Sequence, residues 1–295
     1  MMNKTTAIPL ALLLAAASVH ASALSVNPTT LYTFDTGNGT ADAMGTQNLA
    51  TAGSLTTSGL FGSAADAGGA SAFRGATSTT NAADATNASW HTQPGTGDFS
   101  ISFWYKAGAA APTSYTQILY QGSVWAGGNN QTAGYGFEYT SAGALKFNYG
   151  DVTSSNTRSS LVAAGNLNLS DWNHIALTRS GTEITMFLNG ISSTQTATAG
   201  MDIAVNNANG EWYREFTLGK NTLGSGSLIG SAIDDVGLWR GAAITAGDVA
   251  QIYNGGGGSS LQSLIAAVPE PSAYGMMGAG ALAAAALARR RRKRD

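Results

Sequence analysis

The chain has 295 residues, 43% of them hydrophobic and 11% charged, with 38 glycines, 6 prolines and no cysteine. That length fits one large domain or two small ones, and the lack of cysteine excludes a disulfide-stapled mini-protein and any thiolate chemistry. The formal net charge of -2 hides an uneven distribution: residues 24–268 carry 8 Lys and Arg against 15 Asp and Glu, a balance of -7, which argues against nucleic acid as a partner.

At the N-terminus, Lys4 precedes the apolar stretch Ile8 to Val19, and Ala21-Ser22-Ala23 supplies small residues before Leu24. This is the pattern of a cleaved secretory signal over residues 1–23, with Ala21 and Ala23 at the cleavage site. The apolar stretch is shorter than the ~20 residues that span a bilayer. An exported body without disulfides must then rest on core packing alone, which a chain of this length can supply.

From Leu24 the pattern is one of strands. Residues 98–106 put Phe99, Ile101, Phe103 and Tyr105 on one face and Ser100, Ser102, Trp104 and Lys106 on the other, a period of two. Tyr135/Phe137/Tyr139 and Leu145/Phe147/Tyr149 repeat it on either side of Ser141-Ala142-Gly143 and predict a hairpin. Ile175/Leu177/Arg179 runs into Ser180-Gly181, and Ile184/Met186/Leu188 runs into Asn189-Gly190, a two-residue turn signal. Further strands are expected at Leu31 to Phe34, Ser71 to Arg74, Gln117 to Gln121, Tyr213 to Leu218 and Ile233 to Trp239. One helix is expected, Ala246 to Tyr253, with Thr245 as N-cap, Asp248 completing a capping box and Asn254-Gly255 ending it. Many short strands with glycine-rich turns and one late helix predict an all-β fold: an antiparallel two-sheet jelly-roll sandwich over residues 24–254. Residues 255–267, opening with Gly-Gly-Gly-Gly-Ser-Ser, are expected to form a flexible linker.

Asp171-Trp172-Asn173-His174-Ile175-Ala176-Leu177-Thr178-Arg179, followed by Leu188-Asn189-Gly190, resembles the central hairpin of LamG-like, concanavalin A-like jelly rolls. Leu31 to Asp35, Asp98 to Trp104 and Ile233 to Trp239 carry the same resemblance, which spans about residues 28–254. It implies a two-sheet sandwich that binds glycans, proteins or matrix, often with a calcium ion. Ca2+ takes six to eight oxygen ligands, and Asp35, Asp234 and Asp235 are the candidate carboxylates. As neighbours on a strand, Asp234 and Asp235 are expected to point to opposite faces, so that one of them reaches a given ion.

Catalysis by this fold class needs two carboxylates across a glycosidic bond. Glu211 and Glu215 would share a strand face but sit about 13 Å apart, beyond the ~5 to 9.5 Å of glycosidase pairs. Once the signal is removed, only His91 and His174 remain, with no His-Glu-x-x-His and no Gly-x-Ser-x-Gly. His174 is expected to be a packed, hydrogen-bonded strand residue. A non-catalytic binding module is therefore expected, with a carbohydrate-active enzyme of the same fold and a purely structural matrix protein as the alternatives. Sugars present apolar faces edged by hydroxyls, and the segment Gln121 to Gln131 supplies an aromatic, Trp125, with Asn129 and Asn130 as donors and acceptors. Trp90 and His91 form a second candidate pair.

Last, Val268-Pro269-Glu270-Pro271 leads into an uncharged run, Ser272 to Ala288, and then Arg289 to Arg294, six cationic residues in a row. As a helix the run spans about 25 Å, a marginal transmembrane segment whose basic end stays cytoplasmic. Residues 268–295 closely resemble the PEP-CTERM sorting signal of Gram-negative bacteria, with Pro269, Glu270 and Pro271 as the motif. That resemblance implies transient anchoring in the inner membrane, recognition by an exosortase-type processing enzyme, and release to the cell surface or extracellular matrix, where an exopolysaccharide is the expected partner.

Overall fold

Side chains spaced two apart turn one face of each strand inward, and this chain does so often enough to fill a sandwich. The structure, a computed structural model, describes residues 24–37, 39–45, 47–49, 52–68, 73–74, 95–108, 116–122, 134–150, 158–203, 216–219 and 230–266. The strands are β1 (Thr30–Tyr32), β2 (Leu55–Thr56), β3 (Ala64–Asp66), β4 (Phe73–Arg74), β5 (Phe99–Lys106), β6 (Thr116–Gly122) and β7 (Gly134–Tyr139). They continue with β8 (Ala144–Gly150), β9 (Arg158–Asn166), β10 (Trp172–Ser180), β11 (Glu183–Leu188), β12 (Ile191–Thr196), β13 (Phe216–Leu218) and β14 (Ala232–Arg240). Helices α1 (Ala246–Tyr253) and α2 (Leu261–Ala266) follow.

All pairings are antiparallel, in two sheets: sheet A in the order β12-β11-β10-β5-β14-β3-β2 with β1 also on β14, and sheet B in the order β4-β13-β6-β7-β8-β9. The sandwich core is filled by the alternating residues read from sequence: Phe99, Ile101, Phe103 and Tyr105 of β5 meet Tyr135, Phe137 and Tyr139 of β7 and Leu145, Phe147 and Tyr149 of β8. Phe103 and Phe137 touch edge to face across the sheets, with ring centroids 5.0 Å apart. The expected β10–β11 hairpin is present with Ile175 opposite Leu188, and the next turn carries Asn189 and Gly190 at φ +51° and +80°, the backbone that residue pair tolerates best.

A second cluster lies on the other face of sheet A. Leu31, Ala176, Phe187 and Trp239 pack there against Leu24, Ile244, Val249, Ile252, Leu261 and Leu264. Burying each of the four helix residues contributes roughly 1.5–3 kcal/mol relative to leaving it in water. Asp248 accepts Ser25 N and Oγ at 2.7 and 2.6 Å as well as Thr245 N and Oγ1, so the expected capping box also fastens the start of the body.

Two expectations change here. The stretch read as a flexible linker is packed: Gly258 has φ +71°, and a Cβ there would sit 2.8 Å from Phe61 Cζ and 3.1 Å from Trp104. Its glycines serve close packing, and the compact unit runs from Leu24 to Ile265. Asp234 and Asp235 do not alternate either. β14 slips by one residue against β5 between Asp234 and Gly237, with Asp235 in left-handed backbone at φ +50°. Ile233, Val236 and Leu238 face the core, so the bulge sends both carboxylates outward, away from it.

Among the described residues no helix is long and apolar enough to cross a membrane. The signal, with Ala21 and Ala23, and the sorting segment, with Pro269, Glu270, Pro271 and the uncharged run from Ser272 expected to be helical, lie outside the described residues.

Candidate ligand-binding site

Because Tyr135, Phe137 and Tyr139 point into the core, Gly134, Gly136 and Glu138 point the other way, and the same alternation sets the outward face of sheet B across all its strands. Three rows cross that face. Gly122, Gly134 and Gly150 stand directly opposite one another on β6, β7 and β8, neighbours about 4.8 Å apart. The second row is Arg74, Thr217, Tyr120, Gly136, Asn148 and Ser160. The third is Gln117, Glu138, Lys146 and Val162.

Glycine inside a strand weakens it and marks places where something approaches the backbone closely. At Gly136 the close neighbour is Tyr120: a Cβ would meet Tyr120 Cβ at 2.9 Å, so the glycine lets β7 lie close against β6 there. The other three glycines form a side-chain-free strip beside it. Around the strip the side chains are polar and buried: Gln117, Tyr120, Glu138, Asn148 and Thr217. Ser160 Oγ donates to Asn148 Oδ1 at 2.5 Å, and Asn148 Nδ2 donates to Glu138 Oε2 at 2.7 Å. Gln117, only 1% exposed, has no hydrogen-bond partner at either amide atom. An enclosed polar face with a glycine strip, one aromatic ring and amide side chains has the chemistry of a site for a hydroxylated ligand.

The residues expected from sequence fall as follows. Trp125, Asn129 and Asn130 lie outside the described residues, as do Trp90, His91, Glu211 and Glu215. The Trp125 segment nevertheless joins Gly122 to Gly134, two members of the glycine strip. His174 is a buried strand residue, as expected: Nε2 is 2.8 Å from Ser102 Oγ, its ring lies 5.0 Å from Trp104, and burial drives its pKa down to about 3.

The three carboxylates expected to hold calcium each accept from backbone N–H groups. Asp234 Oδ2 accepts Leu60 N and Phe61 N at 2.8 and 3.0 Å, and its Oδ1 accepts Asp235 N at 2.8 Å. Asp235 Oδ2 accepts Leu261 N at 2.6 Å, and exposed Asp35 accepts Ser63 N at 2.8 Å. Backbone donors thus engage both oxygens of Asp234 and one each of Asp235 and Asp35, while Asp235 Oδ1 is buried without a hydrogen-bond partner. Burial is the main cause that lifts Asp234 to about 6 and Asp235 to about 7, with repulsion from Asp35 adding to both. Among the described residues no group of three or more His, Asp or Glu side chains is placed to hold a metal ion.

Sequence reasoning passed over the sheet B face because it followed the large apolar residues inward. The signal was present in the complementary positions, Gly-x-Gly-x-Glu on β7 and Lys-x-Asn-x-Gly on β8, although the backbone itself requires Gly134, at φ +109°, and Gly136, against Tyr120.

A family model described as the concanavalin A-like lectin/glucanases superfamily matches residues 77–250, and one for the PEP-CTERM protein-sorting motif matches residues 267–293. No curated protein matches the sequence. Among solved structures, the binding domain of botulinum neurotoxin serotype D is similar with a TM-score of 0.52 and 13% identity, covering 81% of this chain and 52% of that one. The CBM40 module of a Ruminococcus gnavus IT-sialidase, bound to α2,3-sialyllactose, has a TM-score of 0.38 and 17% identity over 53% of this chain and 82% of that one. Domain 4 of a GH43 extracellular arabinanase from Geobacillus stearothermophilus, in complex with arabinotriose, has a TM-score of 0.43 and 16% identity over 76% and 96%. The chain spans 52%, 36% and 52% of the first three solved chains it matches, and at these identities the likeness concerns the fold.

Proposed function

We propose that this chain, which belongs to the concanavalin A-like lectin/glucanases superfamily and carries a PEP-CTERM protein-sorting motif, is an exported, non-catalytic glycan-binding module that uses the outward face of sheet B. The observation that carries the reading is that face itself, where buried amides and Tyr120 surround a glycine strip. Glycine lets a flat ring approach the backbone, Tyr120 is the aromatic of the face, and Gln117 carries a donor and an acceptor that no protein group takes. The sorting motif implies exosortase processing of an exported, transiently membrane-anchored protein; we place the mature body at the cell surface or in the extracellular matrix, with an exopolysaccharide as its partner. Calcium plays no part in this reading.

The non-catalytic part of the proposal rests on Glu138. It is the one acidic side chain on the described rows of the face, and Asn148 already engages it, whereas glycoside hydrolysis needs two carboxyl groups across the bond. A glycan array probed with the full-length chain in detergent, paired with a reducing-end release assay on every glycan bound, tests both parts. Binding without release is the expected result. Release of reducing ends would establish an enzyme, and no binding across a broad array would leave a structural matrix protein.

A further inference from the structure

We infer that β12 is a docking edge for a second copy of this chain, whose own β12 pairs with it antiparallel about a two-fold axis at Thr194. The edge of a sheet carries unpaired backbone groups that invite another strand, and folded proteins blunt such edges by shortness, bulges, charge or proline. The other edges of this sandwich are blunted. Among the described residues β1 has three residues, β2 and β4 have two each, and β4 ends in Arg74. β9 is long but irregular: its register against β8 shifts between Ala144 and Lys146, Gly165 stands at φ +98°, and Ser193 Oγ accepts the Ala164 N–H at 2.7 Å. β12 has none of these devices. Ile191–Thr196, at the end of sheet A, include no charge and no proline, and they keep unbroken register with β11 from Ile191 opposite Leu188 to Thr196 opposite Glu183.

The direction of its backbone groups follows from the turn before it. A two-residue turn makes Leu188 and Ile191 a hydrogen-bonded pair, and every second residue then repeats that arrangement. The bond from Ala197 N to Thr182 O at 2.7 Å is in phase with it. Ile191, Ser193 and Gln195 thus direct their backbone groups at β11, whereas Ser192, Thr194 and Thr196 aim theirs out of the edge, where no strand is paired. All three are exposed. β9 does not close the edge, because Ser193, which meets it, shares the inward side of the hairpin with Met186. Such an edge is self-complementary. Turned about a two-fold at Thr194, it sets Thr194 opposite its own copy and Ser192 opposite Thr196, each backbone donating once and accepting once. The facing side chains are then short hydroxyls, a combination that stabilises adjacent strands. Glu183, the one charged residue of the β11–β12 hairpin, falls in line with Phe187 of the copy and not with its own mate, since Thr196 lies opposite Glu183 and Ser192 opposite Phe187.

One strand pair falls short of the ~1,200 Å² that stable interfaces bury, so the association is weak and reversible. Sedimentation velocity on the full-length chain in detergent, with thermal melts to confirm folding, tests it through Thr194→Lys and Thr194→Glu, neither of which removes a backbone group that pairs with β11. Wild type should pass from monomer toward dimer between about 1 and about 100 μM. Each variant alone should stay monomeric over that range, because the axis sets like charges on Cα atoms ~5.5 Å apart. An equimolar mixture of the two should recover the dimer, a result that requires residue 194 to face its own copy. A second reading is independent of charge. In this cysteine-free chain, Thr194→Cys should give a disulfide-linked dimer on oxidation and Glu183→Cys should not, since ~5.5 Å between Cα atoms lies within the span a disulfide bridges. A wild type that stays monomeric, or a dimer that persists in folded Thr194→Lys as one held by the run from Ser272 would, overturns the inference. So does a mixture of variants that fails to recover the dimer, or cross-linking that does not distinguish Thr194→Cys from Glu183→Cys.

Discussion

Asp235 Oδ2 accepts the backbone N–H of Leu261 at 2.6 Å, both residues being buried. This bond ties the bulge of β14 to the first residue of α2, through a carboxyl group that burial has pushed up to about 7. Asp234, one residue earlier and lifted to about 6, holds the backbone of Leu60 and Phe61.

A pH dependence follows. Groups whose pKa is raised by folding contribute stability that is fully present below their unfolded value, near 3.8, and is lost as pH climbs through 6 and 7. His174, buried neutral with its pKa lowered to about 3, acts oppositely below its unfolded value of 6.5. Two carboxyls against one imidazole leave a net loss of stability with rising pH over about 4 to 7.5. Urea denaturation at pH 5 and pH 8 should show the body more stable at pH 5, by on the order of 1–3 kcal/mol. Asp235→Asn, which suits left-handed backbone and keeps the acceptor for Leu261, should flatten that slope. An unchanged slope in the variant would remove Asp235 from the account.

The docking of α2 predicts a second effect. Leu261 and Leu264 are buried in the outer cluster of sheet A, so Leu264→Ala should cost about 2–4 kcal/mol in urea denaturation with an unchanged m-value. A flexible linker would lose less than about 0.5 kcal/mol, and that result would contradict the docked helix.

How far the sequence was legible depended on the size of the side chains. The aromatic alternation of β5, β7 and β8 declared both the strands and the face each buries, and Thr245 with Asp248 declared α1. Strand β9 escaped because Arg158–Asn166 carries few large apolar residues and is held at a sheet edge. Helix α2 escaped because six residues cannot show a helical period, and the glycines before it resemble a linker until Gly258 is seen against Trp104 and Phe61. At Asp234 and Asp235 a strict period of two misled, since a bulge adds a residue that no local pattern announces. The sheet B face was written in the positions between the aromatics, but only the register shows that Gly122, Gly134 and Gly150, far apart in sequence, stand side by side.

Calcium offers a third check. With three of the four carboxylate oxygens of Asp234 and Asp235 accepting from backbone donors, thermal melts in chelator and in excess Ca2+ should coincide. A rise in melting temperature with Ca2+ that Asp35→Ala abolishes would show that these carboxylates rearrange around an ion.

Processing supplies a fourth. The signal features and the sorting motif predict that intact-mass measurement on protein recovered from outside the cell gives a chain that starts near Leu24 and lacks Arg289 to Asp295. Recovery of the complete basic tail from the exterior would contradict exosortase handling.

The central claim, that the outward face of sheet B binds glycan, is tested most directly by measuring the affinity of the bound glycan for Tyr120→Leu, which keeps an apolar side chain on β6 but removes the ring. The control is Ile191→Ser on exposed β12 of sheet A. The account predicts that folded Tyr120→Leu binds roughly tenfold more weakly or worse while Ile191→Ser binds as wild type does. Undiminished binding by Tyr120→Leu, with loss in the control instead, would contradict it.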